Sequence, residues 1–156
     1  MPEQFRALQG FRDVLPEEQA YWRFVEETAA QVASLYGYRR IETPLLEETA
    51  VFQRTSGEGT DIVDKEMYSF NDRADKEGRS QSLSLRPEGT APVCRAYIEH
   101  GMHKLPQPVK FWYLSSFFRS EAPQRGRYRQ FWQVGAESIG SAGPETDAEL
   151  IVPLAE

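Results

Sequence analysis

The chain has 156 residues, of which 40% are hydrophobic, 12% aromatic and 27% charged, enough for one domain with a real core. No apolar run approaches the roughly 18 residues a membrane helix needs, and Met1-Pro2-Glu3-Gln4-Phe5-Arg6 lacks the charged-then-apolar order of a secretory signal. A lone cysteine, Cys94, excludes an internal disulfide framework and fits a reducing cytoplasm, while a net charge of −6 argues against a general nucleic-acid binder unless a local basic patch exists.

Residues 1–16 read as an arm ending in a turn, and Pro16, Glu17 and Glu18 suit the first turn of a helix. Tyr21, Val25, Thr28, Ala29, Val32, Leu35 and Tyr36 recur on one helical face and Gly37 follows, so a helix is predicted over 17–36. Tyr38 to Thr43 reads as a strand stopped by Pro44. Leu45 to Phe52 reads as a turn and a short helix, and 53–65 as a polar, glycine-bearing loop. Two short alternating stretches, 66–70 and 81–85, predict a hairpin across a charged turn at Gly78. Pro87 to Thr90 is a turn, and Ala91 to Gly101 a helix. Two long strands follow, Val109 to Phe118 and Phe131 to Ile139, joined by a polar loop. A last helix starts at Glu145 and reads as interrupted at the chain end, so the domain is expected to be truncated. Hairpin-joined strands with helices set apart predict an α+β fold on an antiparallel sheet.

The chemistry concentrates in three places. The loop FRSEAPQRGRYRQF, 118–131, sets Arg119, Arg125, Arg127 and Arg129 against one acid, Glu121. Charge runs of this kind are usually a solvated tip. Here two apolar strands bracket the loop, arginine offers a fixed fork for phosphate oxygens, Gly126 lets the loop fold over a ligand, and Phe131 offers a ring for a base. Neither GxxxxGK[ST] nor GxGxxG occurs. Leu85-Arg86-Pro87-Glu88-Gly89-Thr90 places a carboxylate and a hydroxyl two apart on a tight turn, either to hold an ammonium group or to start a helix with Thr90 as cap. Gln133 and Glu137 lie four apart on one strand and share a face, lining either a pocket or an exposed sheet surface. His100 and His103 form a lone HxxH, too few ligands for zinc, so no metal site is expected; Cys94 reads as core.

FRSEAPQRGRYRQF followed by WQVGAE resembles the second signature motif of the class II aminoacyl-tRNA synthetases in its histidine-specific form, and LRPEGTA resembles that family's histidine-binding turn. The 17–36 helix with YRRIETP resembles the first class II motif, and TDIVDKEMYSF and GFRDVLP also match. Ala122, Trp132 and Ser115-Ser116 depart from the family's usual arginine, histidine and glycine-proline. The resemblance implies a class II catalytic domain over 1–156 with motifs 1 and 2, the third motif and the anticodon-binding domain lying beyond residue 156.

It further implies ATP and Mg²⁺ as cofactors, histidine and tRNA(His) as partners, and a homodimer through residues 17–44. Arg119, taken as the catalytic residue, would contact the α-phosphate and the histidine carboxylate. Glu121 would accept from the adenine amino group, Arg127 would hold the outer phosphates, and Phe131 would stack on adenine. Glu88, Thr90 and Gln133 would bind the histidine α-amino group, and Glu137 would face the imidazole. Only half of the site is implied within these residues, so weak ligand binding and little aminoacylation are expected of them alone. The rival is the regulatory subunit of ATP phosphoribosyltransferase, a paralogue that does not activate histidine and is expected to lose the arginine-loop pattern or the Glu-Gly-Thr turn. Both are intact here.

Overall fold

A computed structural model of the chain describes residues 5–56, 66–74, 76–122 and 124–152. The stretch 57–65, read above as part of a loop, lies outside the described residues, as do the last four residues of the C-terminal helix expected over 145–156. A 3-10 turn, Pro16–Glu18, leads into α1, Gln19–Leu35. The helix stops where expected. Gly37, at φ +74°, takes the left-handed conformation and donates to the Ser34 carbonyl at 3.1 Å, and the Tyr38 N–H donates to Ala33 at 2.9 Å.

The strand expected over 38–43 is only Arg39–Arg40, β1. Then come β2 (Leu46–Glu48), α2 (Thr49–Ser56), β3 (Ser69–Asn71), β4 (Ser82–Leu85), α3 (Thr90–Glu99), β5 (Val109–Phe118), β6 (Gln130–Ile139) and α4 (Pro144–Ile151). Two corrections follow: residues 46–48 are a strand, and residues 53–56 continue α2 where a loop was expected. β2 carries two glutamates and no alternating apolar pattern. It forms because Glu47, only 8% exposed, turns inward to pair with both sides of the Arg95 guanidinium on α3.

The strands make two three-stranded sheets, β1-β5-β6 and β2-β4-β3. All pairings are antiparallel except β1 with β5, which is parallel. β5 and β6 form an unbroken ten-residue ladder from Val109↔Ile139 to Phe118↔Gln130. β5 lies between two neighbours and is largely buried on both faces. On its front face, Val109, Phe111, Tyr113 and Phe117 join Val93 of α3 in one cluster, with Tyr97, Phe131 and Ile139 packed against it.

α1 crosses the back face. No residue of α1 is fully buried, and Tyr21 and Leu35, expected on the apolar face, are each 77% exposed. Trp22 meets Trp132 edge-on at 4.9 Å. Val25, Ala29 and Val32 line an apolar cleft with Trp112, Val134 and Ala136. Trp132 thus sits on the sheet face away from the residues predicted to bind ligand.

Arg86 ties the two sheets together. At 4% exposure, its Nε donates to the Ser116 carbonyl at 2.9 Å and its Nη1 to the Thr43 carbonyl at 2.6 Å and the Thr43 hydroxyl at 3.1 Å. Its carbon Cζ lies 5.1 Å from the Phe117 ring centroid. Its own backbone bonds Leu45 through N–H and Phe118 through C=O. Arg86→Met keeps the bulk but strands these carbonyls, and is expected to cost about 3 kcal/mol. Arg86→Lys, a point charge without the fork, recovers less than half. Urea unfolding midpoints test this; an unchanged midpoint in Arg86→Met removes Arg86 from this role.

Candidate active site

The front face of β5 and β6 is set by strand parity. Residues paired across the ladder share a face, so Phe117 with Phe131, Ser115 with Gln133, Tyr113 with Gly135 and Phe111 with Glu137 form four successive rungs. From Phe131 to Glu137 this track runs about 20 Å at the strand rise per residue. The arginine loop lies at the Phe131 end and the N-terminus of α3 at the Glu137 end.

At the Phe131 end, Arg119 lies with its Cζ 5.2 Å from the Phe131 centroid, and its Nε donates to the Pro87 carbonyl at 3.0 Å. Arg127 pairs with Glu121 at 3.0 Å. Arg129 donates through Nε to the Glu121 carbonyl at 3.0 Å and through its backbone N–H to Gly10 at 2.7 Å. The loop is therefore held to β6 and to the N-terminal arm at defined points.

At the other end, Glu88 caps α3. Its carboxylate accepts from the Thr90 N–H at 2.6 Å and the Ala91 N–H at 3.0 Å. The expected helix start is real, but Glu88 supplies the cap where Thr90 was the candidate; Gly89 is the residue at the N-cap position. The carboxylate also meets the positive end of the helix dipole. The Thr90 hydroxyl instead donates to Glu137 Oε1 at 2.8 Å, and the Tyr113 phenol donates to the same oxygen at 3.3 Å. Burial raises the Glu137 carboxyl above its ordinary value, and nearby Glu88 raises it further, while the bonds from Thr90 and Tyr113 oppose the shift. Burial, then Glu137, drives the Tyr113 phenol upward as well.

The residues anticipated from sequence thus meet through a short chain of contacts. Arg119 touches the backbone of Pro87, next to Glu88; Glu88 caps the helix that starts at Thr90; Thr90 bonds Glu137. Gln133 lies exposed between the two ends on the same face. Three participants escaped the sequence reading. Tyr113 reads as one more core aromatic on its strand, and Gly89 and Gly135 read as turn and strand glycines. A Cβ at Gly89 would stand 2.3 Å from Tyr113 Cζ, and one at Gly135 2.2 Å from it. The signal is Gly135 opposite Tyr113 in the ladder and Gly89 against the same ring from the turn before α3, visible only once the register and packing are known.

His103 stacks edge-on against Tyr97, and no group of three His, Cys, Asp or Glu side chains able to hold a metal occurs among the described residues. Burial, followed by Glu137 and Glu88, pushes the Cys94 thiol up, against a role as a nucleophile.

The raised Glu137 midpoint fixes a sign. Stability linked to a carboxyl raised in the fold is present below the unfolded value of about 4.3 and is lost as pH rises through the folded midpoint. Glu137→Gln cannot ionise, so its Tm should gain on the parent as pH rises from about 4 to about 7. Thermal melts at constant ionic strength read the difference, and a flat difference contradicts a carboxylate held at a cost.

The histidyl-tRNA synthetase family profile matches residues 10–156. The histidine–tRNA ligase of Dehalococcoides mccartyi is 55% identical over 147 residues, covering 94% of this chain and 34% of its own length. The apo histidyl-tRNA synthetase of S. aureus superposes with a TM-score of 0.76 at 37% identity, over 97% of this chain and 33% of that one. A structure described as an ATP phosphoribosyltransferase regulatory subunit/histidyl-tRNA synthetase from Bacillus halodurans reaches 0.77 at 29% identity, over 99% and 38%. The chain spans about a third of the length of these relatives. With the arginine loop, the Glu88-Gly89-Thr90 turn and Glu137 on one face, and with this coverage, the chain belongs to the histidyl-tRNA synthetase family.

Proposed function

We propose that these residues form the ATP- and histidine-binding half of a histidine–tRNA ligase, which activates histidine with ATP to histidyl-adenylate and transfers it to tRNA(His). The observation that carries the reading is the polarity of the track: arginines at the Phe131 end, and Glu88 and Glu137 joined through Thr90 at the other. A nucleotide laid with its base on Phe131 brings its α-phosphate to Arg119. Histidine laid beyond it puts its carboxylate at the same arginine, its α-amino group among Glu88, Thr90 and Gln133, and its ring N–H at Glu137. The carboxylate then attacks the α-phosphate without a covalent enzyme intermediate, so catalysis is alignment plus neutralisation of phosphate charge.

The Glu121–Arg127 pair holds the loop in shape. On binding, Glu121 accepts from the adenine amino group and Arg127 turns to the outer phosphates. Mg²⁺ supplies further neutralisation when carried on the phosphate oxygens. The intact Glu88-Gly89-Thr90 turn and arginine loop favour the ligase over the regulatory paralogue. The homodimer through residues 17–44 draws support from the apolar side chains α1 leaves exposed, Tyr21, Phe24 and Leu35. No helix among the described residues is long and apolar enough to cross a membrane, and the protein works in the cytoplasm on this reading.

Calorimetric titration tests it. Histidine should bind and phenylalanine should not, because a half-buried acceptor left unpaired disfavours a ring without an N–H. Arg119→Ala should weaken both ATP and histidine, and Glu137→Ala only histidine, each by tenfold or more, the scale of about 1.4 kcal/mol. Equal affinity for histidine and phenylalanine would end the assignment.

A further inference from the structure

Tyr113 is larger and more constrained than a core-filling role requires. Its ring end is closed in from α3 by Gly89 and from β6 by Gly135, each leaving no room for a Cβ. The ring packs edge-on against Phe117 at 5.9 Å. The phenol, so fixed, donates to Oε1 of Glu137, the oxygen that also accepts from Thr90. No described residue donates to Oε2. An oxygen that takes two donors is held as an acceptor, which leaves Oε2 to take an N–H from a ligand.

We propose that Tyr113 is a positioning residue for ligand selection, holding Glu137 ionised and oriented with Oε2 as the acceptor for a ligand ring N–H. The identity of that ligand rests on the histidine reading above; the hold on Glu137 does not. Two glycines from different elements make sense on this basis: each gives up its side chain to keep one hydroxyl in place. The charged and titratable groups around the pair are Glu88 in the turn before α3, Cys94 on α3 and Arg86 at the end of β4.

Tyr113→Phe removes only the hydroxyl. In the variant, the Glu137 side-chain carboxyl, followed by ¹³C NMR, should titrate at higher pH than in the parent chain. Histidine affinity should fall about tenfold, the scale of one hydrogen bond to a charged group, with ATP affinity unchanged. A ring that merely fills the core would move neither. In the unsubstituted chain, the Tyr113 ¹³Cζ resonance should shift with the same midpoint as Glu137, a measurement that survives if the variant folds poorly. An unmoved Glu137 midpoint in Tyr113→Phe, or a Tyr113 resonance blind to Glu137, overturns the proposal. A moved midpoint in a chain that binds no histidine upholds the hold on Glu137 and sinks the histidine assignment instead.

Discussion

A guanidinium at 4% exposure, surrounded by backbone carbonyls and one aromatic ring, joins the end of β4 to the loop after β1 and to the far end of β5. Among the described residues no carboxylate is in direct contact with Arg86. Burial lowers its pKa, with Glu42 and Glu47 opposing that shift from a distance, yet an arginine stays protonated. The charge is therefore held by dipoles, and the carbonyls it takes come from two segments, Thr43 and Pro44 after β1 and Ser116 on β5. Because Pro87 and Glu88 follow at once, the position of the turn that leads into α3 is set by a bond network on its far side. Arg119 reaches the Pro87 carbonyl only because that turn is so placed.

The second constraint is parity. A ten-residue antiparallel ladder without a bulge alternates its faces without error, so Phe131, Gln133, Gly135 and Glu137 necessarily share a side with Phe117, Ser115, Tyr113 and Phe111. A one-residue slip would bring Trp132, Val134, Ala136 and Ser138 to the front and send Gln133 and Glu137 to the back, beneath α1. The Trp22–Trp132 contact and the apolar cleft under α1 resist that slip from behind. Packing on one face thus protects chemistry on the other.

These two constraints explain which parts were legible in the sequence. β5 is bounded by Val109 and Phe118 as its aromatic run foretells, β6 differs by one residue, and α1 and α3 lie within two residues of their expected ends. Their signals are local: periodicity, a terminating glycine, a run of large apolar side chains. β2 and the parallel β1–β5 pairing escaped because they depend on distant partners, Arg95 for Glu47 and the ladder of β5 for Arg39 and Arg40. The site divides in the same way. Arg119, Glu121, Arg127, Glu88, Thr90 and Glu137 were legible as motif residues. That Glu88 is spent on a cap, that Thr90 turns to Glu137, and that Tyr113 joins them required the register.

The electrostatics of the track follow from where charge is left unmatched. In the arginine loop, Glu121 absorbs Arg127 through its side chain and Arg129 through its backbone, so the loop holds its shape before any anion arrives. At the other end burial, and then the neighbouring Glu88, raise Glu137, and hydrogen bonds from Thr90 and Tyr113 oppose that shift, while Glu88 itself caps the N-terminus of α3. Neither end is neutral by itself, and their excesses have opposite sign. A ligand with phosphates at one end and a cationic or N–H-bearing group at the other relieves both strains at once, whereas a ligand carrying only one of these features leaves the opposite end uncompensated. Selectivity for the pair therefore follows from the separation of charge along one strand, with β5 and β6 as the rigid support that fixes the distance between the two ends.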